Sequence, residues 1–144
     1  MFSTETIVRV RYADTDQMKV AYYAKFFEYF EQGRADLLRR IGLPYGELEQ
    51  MGYHLPVVEA HAKYLKSARY DDELIVKTII NDLPQVRVRI EYELKNNATK
   101  ELLAQGYTVH SFVSAETLKP TRAPDRFTEL MSDVLNHKKV SKSP

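Results

Sequence analysis

Residues 22–41 carry the longest helical repeat in the chain, and its apolar side is largely aromatic. Phe26, Phe27, Phe30, Leu37, Leu38 and Ile41 recur at helical spacing, while Glu28, Glu31, Asp36, Arg39 and Arg40 fall mostly on other faces. A lone helix cannot bury such a side by itself; it needs a sheet or a second helix laid against it. Gly33 stands in the middle of the repeat, at a cost of about 1 kcal/mol relative to Ala. The usual compensation is a neighbour that passes very close to the helix there. Gly42 and then Pro44 end the pattern.

Most of the remaining chain is patterned in twos. Residues 4–12 set Thr6, Val8, Val10 and Tyr12 on one side and Glu5, Arg9 and Arg11 on the other, which predicts a first strand. Beyond Leu55, Val58, Ala60, Ala62 and Tyr64 share a face, and Leu74, Val76, Thr78 and Ile80 share another. Val86, Val88, Ile90, Tyr92 and Leu94 alternate strictly with charged residues. Asn81, Asp82 and Pro84, then Asn96 and Asn97, supply turn chemistry, and residues 101–115 form a last long strand. Residues 44–52 read either as a short helical turn closed by glycine or as a loop. Phe127, Leu130, Met131 and Val134 predict a short amphipathic helix, and residues 137–144 a flexible basic tail. The order is one strand, one long helix and four strands in succession. Short turns between successive strands favour an antiparallel sheet with the helix across one face, so the chain reads as α+β, one domain over residues 1–136. The far face, with Ile75, Ile79, Leu103 and Val109 among charges, is expected to meet another subunit.

At 144 residues, one domain holds a real core. Lys and Arg number 21 against 20 for Asp and Glu, so a net charge of +1 gives no global field for nucleic acid or an anionic membrane. The absence of cysteine excludes disulfides, zinc thiolates and a thiol nucleophile. No apolar run is long enough to span a bilayer, and no secretory leader pattern opens the sequence. The expectation is a cytoplasmic protein that neither inserts in a membrane nor binds nucleic acid. His61 and His110 have no metal-ligand spacing, and no metal is assigned.

Two carboxylates, Asp14 and Asp16, stand just before the long helix. Backbone N–H groups at a helix start lack intrahelical partners and carry partial positive charge. An acid and a carbonyl-polarising site can therefore share one place, where the acid attacks a carbonyl or deprotonates water. The plainer alternative is that both aspartates form local turns and cap the helix.

The motif R-Y-A-D-T-D, then Tyr23 seven residues after Asp16, then F-F-E-Y-F-E-Q-G-R, resembles the acyl-CoA thioesterases of the hot-dog fold, in particular the 4-hydroxybenzoyl-CoA thioesterase group. The resemblance continues through P-V-V-E-A-H-A-K-Y-L-K-S-A-R-Y-D-D-E-L at residues 56–74 and T-V-H-S-F-V at residues 108–113. It implies a long helix wrapped by a curved five-stranded antiparallel sheet. It implies that Asp16 is the catalytic carboxylate and that the Tyr23 N–H polarises the thioester carbonyl. It also implies a homodimer, in many relatives a homotetramer, with the site at the subunit boundary. Coenzyme A is then part of the substrate and no separate cofactor is required. Where many relatives carry glycines after the second aspartate and often a histidine at Tyr23, this chain has Gln17, Met18 and Lys19. A backbone role for position 23 survives that difference; an imidazole role does not.

Lys66 and Arg69 are the candidates for the coenzyme A phosphates, because their turn follows the strand expected beside the helix start. His54 is a candidate for the acyl pocket. Tyr22, Tyr23, Tyr29 and Tyr64 read as core and interface. A hot-dog dehydratase is disfavoured, since no histidine lies between Asp16 and Tyr23. A non-catalytic acyl-CoA-binding or dimerisation module is the alternative of a different class.

Overall fold

The computed structural model describes residues 1–136; residues 137–144, expected as a tail, lie outside the described residues. In chain order the elements are β1 (Phe2–Arg9), a 3-10 turn (Tyr12–Asp14), α1 (Lys25–Arg40), α2 (Tyr45–Gln50), β2 (Tyr53–His54), β3 (Val57–Tyr64), β4 (Glu73–Ile80), β5 (Arg87–Asn96), β6 (Leu102–Ser111), β7 (Val113–Ser114) and α3 (Asp125–Asn136). Five strands form one sheet in the order β1-β4-β5-β6-β3, every neighbouring pair antiparallel. The long helix lies across it, as the hot-dog resemblance implied.

Period-two patterning decides which side chains meet the helix. Leu74, Val76, Thr78 and Ile80 from β4 are fully buried, and Val88, Ile90, Tyr92 and Leu94 from β5 nearly so. From α1 the buried set is Phe26, Tyr29, Phe30, Gly33, Leu37 and Leu38. Phe30 stacks on Tyr92 with ring centroids 4.5 Å apart and planes 7° from parallel. Gly33 explains how helix and sheet come so close: a Cβ there would lie 2.4 Å from Thr78 Oγ1 and 2.7 Å from Val76 Cγ1. The far end of the helix is tied to β1, where Thr6 donates to Asp36 at 2.8 Å and Arg40 donates to the Glu5 carbonyl at 2.8 Å.

Three boundaries differ from the sequence reading. The first strand ends at Arg9, and Tyr12 stands 76% exposed in the 3-10 turn, because the chain must leave the sheet to reach the helix start. The helix begins at Lys25, after a turn at Tyr23 and Ala24. The last long strand breaks at Phe112, whose fully buried ring packs edge-on against Phe127 of α3; Val113 and Ser114 then pair with β2 instead. Residues 45–50 take the helical alternative, and the predicted amphipathic helix is α3, with Phe127 and Met131 buried.

β3 stands apart from the other strands. It closes one edge of the sheet, among the described residues paired only with β6, and nearly all of its residues are exposed. Val57 and Val58 are 48% and 47% exposed.

Candidate active site

The segment between β1 and α1 is built around Asp14. Its carboxylate is buried and accepts the Arg11 N–H at 3.0 Å, the Arg11 guanidinium at 3.0 Å and the Tyr29 hydroxyl at 3.0 Å. Burial alone would raise its pKa, but these donors outweigh burial and hold the carboxyl below the usual range. Burial and the same carboxylate push the Tyr29 hydroxyl well above its ordinary value, so it remains a donor. The Asp14 carbonyl accepts the Tyr22 N–H at 2.8 Å, drawing the helix start back over the turn.

Between these anchors, residues 15–21 reverse direction. Thr15 pairs with Ala21, Val20 pairs with Arg69, and the Asp16 N–H donates to the Val20 carbonyl at 3.0 Å. Lys19 adopts the left-handed region with φ of 63°, a conformation glycine enters more readily. Asp16 projects from this reversal and is exposed. Its Oδ1 accepts the Met18 N–H at 2.8 Å, the local turn bond of an aspartate. Among the described residues its other oxygen has no partner.

Neither aspartate caps the helix. The N-cap is Ala24, which has no side-chain capping bond. The N–H groups of Lys25, Phe26 and Phe27 bond back to the carbonyls of Tyr22, Tyr23 and Ala24. Among the described residues the N–H groups of Tyr23 and Ala24 have no acceptor, which leaves donors at the positive end of the helix dipole.

Asp16, Tyr23, Phe26, Tyr64, Lys66 and Ser67 line a cleft of about 320 Å³. Tyr64, at the end of β3, donates to the Tyr23 carbonyl at 3.0 Å and packs edge-on against Phe26, so the edge strand forms one wall. Lys66, at the rim, pairs with Glu101, and this pairing holds the Glu101 carboxyl below its ordinary range. Such an exposed pair is screened by solvent and contributes little to stability. Arg69 reaches the same region through its backbone pairing with Val20, and its guanidinium is outside every ion pair among the described residues.

The structure thus brings Asp16, Tyr23 and Lys66 to one cleft, with Arg69 adjoining through the backbone. It does not bring His54 there: His54 sits on β2, paired with Val113 of β7, and is absent from the cleft lining. Tyr64 is a wall residue that the sequence reading assigned to core and interface; strand periodicity carries no sign that its strand lies at the sheet edge beside the cleft. Among the described residues, no group of three or more His, Asp and Glu stands close enough to hold a metal ion.

YneP of Bacillus subtilis, provisionally named an acyl-CoA thioesterase, is 32% identical over 122 residues, covering 85% of this chain and 88% of that protein. The acyl-CoA thioesterase YbgC of Haemophilus influenzae is 28% identical over 118 residues, covering 81% of this chain and 85% of its own. The solved DHNA-CoA thioesterase from Staphylococcus aureus superposes with a TM-score of 0.89 at 29% identity, over 100% of this chain and 98% of that one. A family model described as the thioesterase-like superfamily matches residues 10–131, which contain the whole Asp14–Asp16 segment, α1 and the sheet strands β3 to β6, and the chain belongs to that superfamily.

Proposed function

We propose that this protein hydrolyses an acyl-CoA thioester to a carboxylic acid and free coenzyme A. The observation that carries the reading is the shared cleft: an exposed carboxylate borders the same cavity as Tyr23, and among the described residues one of its oxygens is unengaged and the neighbouring N–H donors have no acceptors. In this reading the thioester carbonyl oxygen accepts the Tyr23 N–H, which stabilises the negative charge that develops there. Asp16 either attacks the carbonyl carbon, giving an anhydride that water opens, or takes a proton from water as the water oxygen adds. Either way the C–S bond breaks, and the coenzyme A thiolate leaves and is protonated. The Met18 N–H fixes the carboxylate orientation, which pre-organises it for either role. Lys66 and Arg69 supply charge for the coenzyme phosphates, and neither a metal nor a redox cofactor is called for. The names of the relatives, acyl-CoA thioesterase and DHNA-CoA thioesterase, support the same reaction class.

The site is proposed to be completed in a homodimer joined through β3, and such dimers to pair further into a tetramer. The support is the exposure of β3 along its length and the position of Tyr64 at its end, against the cleft. The second reading is a non-catalytic acyl-CoA-binding or dimerisation module. The Asp16–Met18 bond favours it, because a turn-forming aspartate needs no chemical task.

Release of free thiol from a panel of short, long and aromatic acyl-CoAs decides between them. The expected result is turnover by the natural protein and a loss of at least ~100-fold in kcat for Asp16→Asn, with unchanged thermal unfolding and assembly. Full activity in Asp16→Asn removes the mechanism; tight binding without thiol release across the panel favours the module.

A further inference from the structure

The backbone just before α1 is gripped by the chain that leaves β3. Val20 pairs with Arg69, and the Ala21 N–H donates to the Ala68 carbonyl at 2.7 Å. The Tyr22 N–H is taken by the Asp14 carbonyl, and Tyr23 and Ala24 follow with N–H groups that have no acceptor among the described residues. At this point a side chain replaces the backbone contacts: the Tyr64 hydroxyl donates to the Tyr23 carbonyl at 3.0 Å. Among the described residues no other side chain bonds the backbone of residues 20–24, and the helix start has no capping side chain.

Tyr64 is itself firmly placed. It is the last residue of β3, paired with Ala104 of β6, and the N–H groups of Leu65 and Lys66 both donate to the Leu103 carbonyl, at 2.8 and 3.1 Å. Its ring stands edge-on to buried Phe26, centroids 5.0 Å apart, and edge-on to Tyr23 at 6.2 Å. Partial burial and the neighbouring Tyr23 raise the pKa of the hydroxyl, so it stays a donor near pH 7.

The bond acts on one peptide unit. The Tyr23 carbonyl, which also accepts the Phe26 N–H at 3.2 Å, lies in one peptide plane with the Ala24 N–H. The Tyr22 carbonyl, which accepts the Lys25 N–H at 2.9 Å, lies in one plane with the Tyr23 N–H. Tyr23 is thus held from the sheet by its carbonyl, while the two N–H groups beside it are left for a substrate. A hydrogen bond accepted at a carbonyl also polarises the N–H of the same peptide. Donors to a developing oxyanion act only when they are aimed before the charge appears, and misplacement by about 1 Å can cost on the order of 100-fold in rate.

We propose that Tyr64 is a positioning residue for the reaction: through the Tyr23 carbonyl, its hydroxyl fixes the N–H groups of Tyr23 and Ala24 that receive the charge developing on the thioester oxygen. This rests on the acyl-CoA hydrolase reading above. The edge strand then sets the aim of the helix start as well as walling the cleft.

The test compares the natural protein with Tyr64→Phe, which keeps the ring against Phe26 and removes only the hydroxyl. On an acyl-CoA that the natural protein hydrolyses, kcat is expected to fall ~10-fold while KM stays within about twofold. Assembly size and thermal unfolding stay as they are. The infrared band of the bound carbonyl reads the donors directly. In Asp16→Asn, the stretch of an isotope-labelled thioester carbonyl is expected to move to lower wavenumber on binding, and adding Tyr64→Phe removes more than half of that shift. Unchanged kcat in Tyr64→Phe overturns the proposal, as does a carbonyl shift that is the same with and without the hydroxyl. A rise in KM alone also overturns it, by making the hydroxyl a contact of the bound substrate. So does a smaller assembly in Tyr64→Phe, which assigns the bond to pairing of the chains. No thiol release by the natural protein from any acyl-CoA of the panel sinks the hydrolase reading itself.

Discussion

Asp14 keeps its charge inside the protein because three donors converge on it: a backbone N–H, a guanidinium and a phenol. Asp16, two positions on, is left outside with one oxygen held. Both look alike in the sequence, as acids before a helix. What separates them is tertiary, since Tyr29 arrives from the first turns of α1, and local spacing carries no record of that contact. Asp14→Ala leaves the Tyr29 hydroxyl without its buried acceptor and is expected to cost about 1–3 kcal/mol, read from the urea midpoint. His110 adds a pH dependence. Its folded pKa of about 4 lies below the ordinary value near 6.5, so the unfolded chain binds more protons between those values. The stability that comes from keeping the ring neutral is complete above about pH 6.5 and is lost as pH falls towards 4, on the order of 3 kcal/mol in all. Asp14, whose carboxyl is also depressed, adds a loss at still lower pH, below its unfolded pKa near 4. Urea titrations between pH 7 and 4 should show the first decline, and His110→Gln should flatten it.

At the scale of elements, the helix and the strands were legible because burial on one face writes its period into the sequence. Phe26, Phe30, Leu37 and Leu38 did so at the helical period, and Val88, Ile90, Tyr92 and Leu94 at the strand period. Gly33 was legible as well, as a cost that needed a reason, and the reason is β4. Gly33→Ala gains about 1 kcal/mol in helix propensity but drives its methyl into Thr78 and Val76, both fully buried. The net expectation is destabilisation by about 1–3 kcal/mol, measured by denaturant unfolding. Other features left no such trace. The exit of Tyr12 from the first strand and the break at Phe112 keep the alternating pattern while the backbone departs from the sheet. Period alone cannot register a change of direction. The β2–β7 pair has two residues on each strand, too few to establish a period at all.

For the whole molecule, the edge strand is the informative part. Ala60, Ala62 and Tyr64 have the alternation of a buried face, yet β3 is almost wholly exposed in the single chain. An exposed edge with apolar residues is a surface natural proteins cover or pair. On the proposed pairing, the natural protein sediments as a dimer or larger. Val58→Lys, which sets a charge on that edge, shifts it towards monomer and lowers thiol release in proportion. A monomeric natural protein at micromolar concentration would remove the pairing. His54 belongs to this scale too, since the single chain holds it away from Asp16, and sequence spacing says nothing about what a neighbouring chain brings near.

Tyr64 closes one side of the cleft from a strand whose outer rim still awaits a neighbour. If that rim is filled by a twin chain, output per molecule becomes a function of abundance. In very dilute solution, halving the amount of protein cuts the total rate by more than half, because fewer molecules find their twin. A cell would then possess, without any regulator, a threshold below which the reaction falls almost silent.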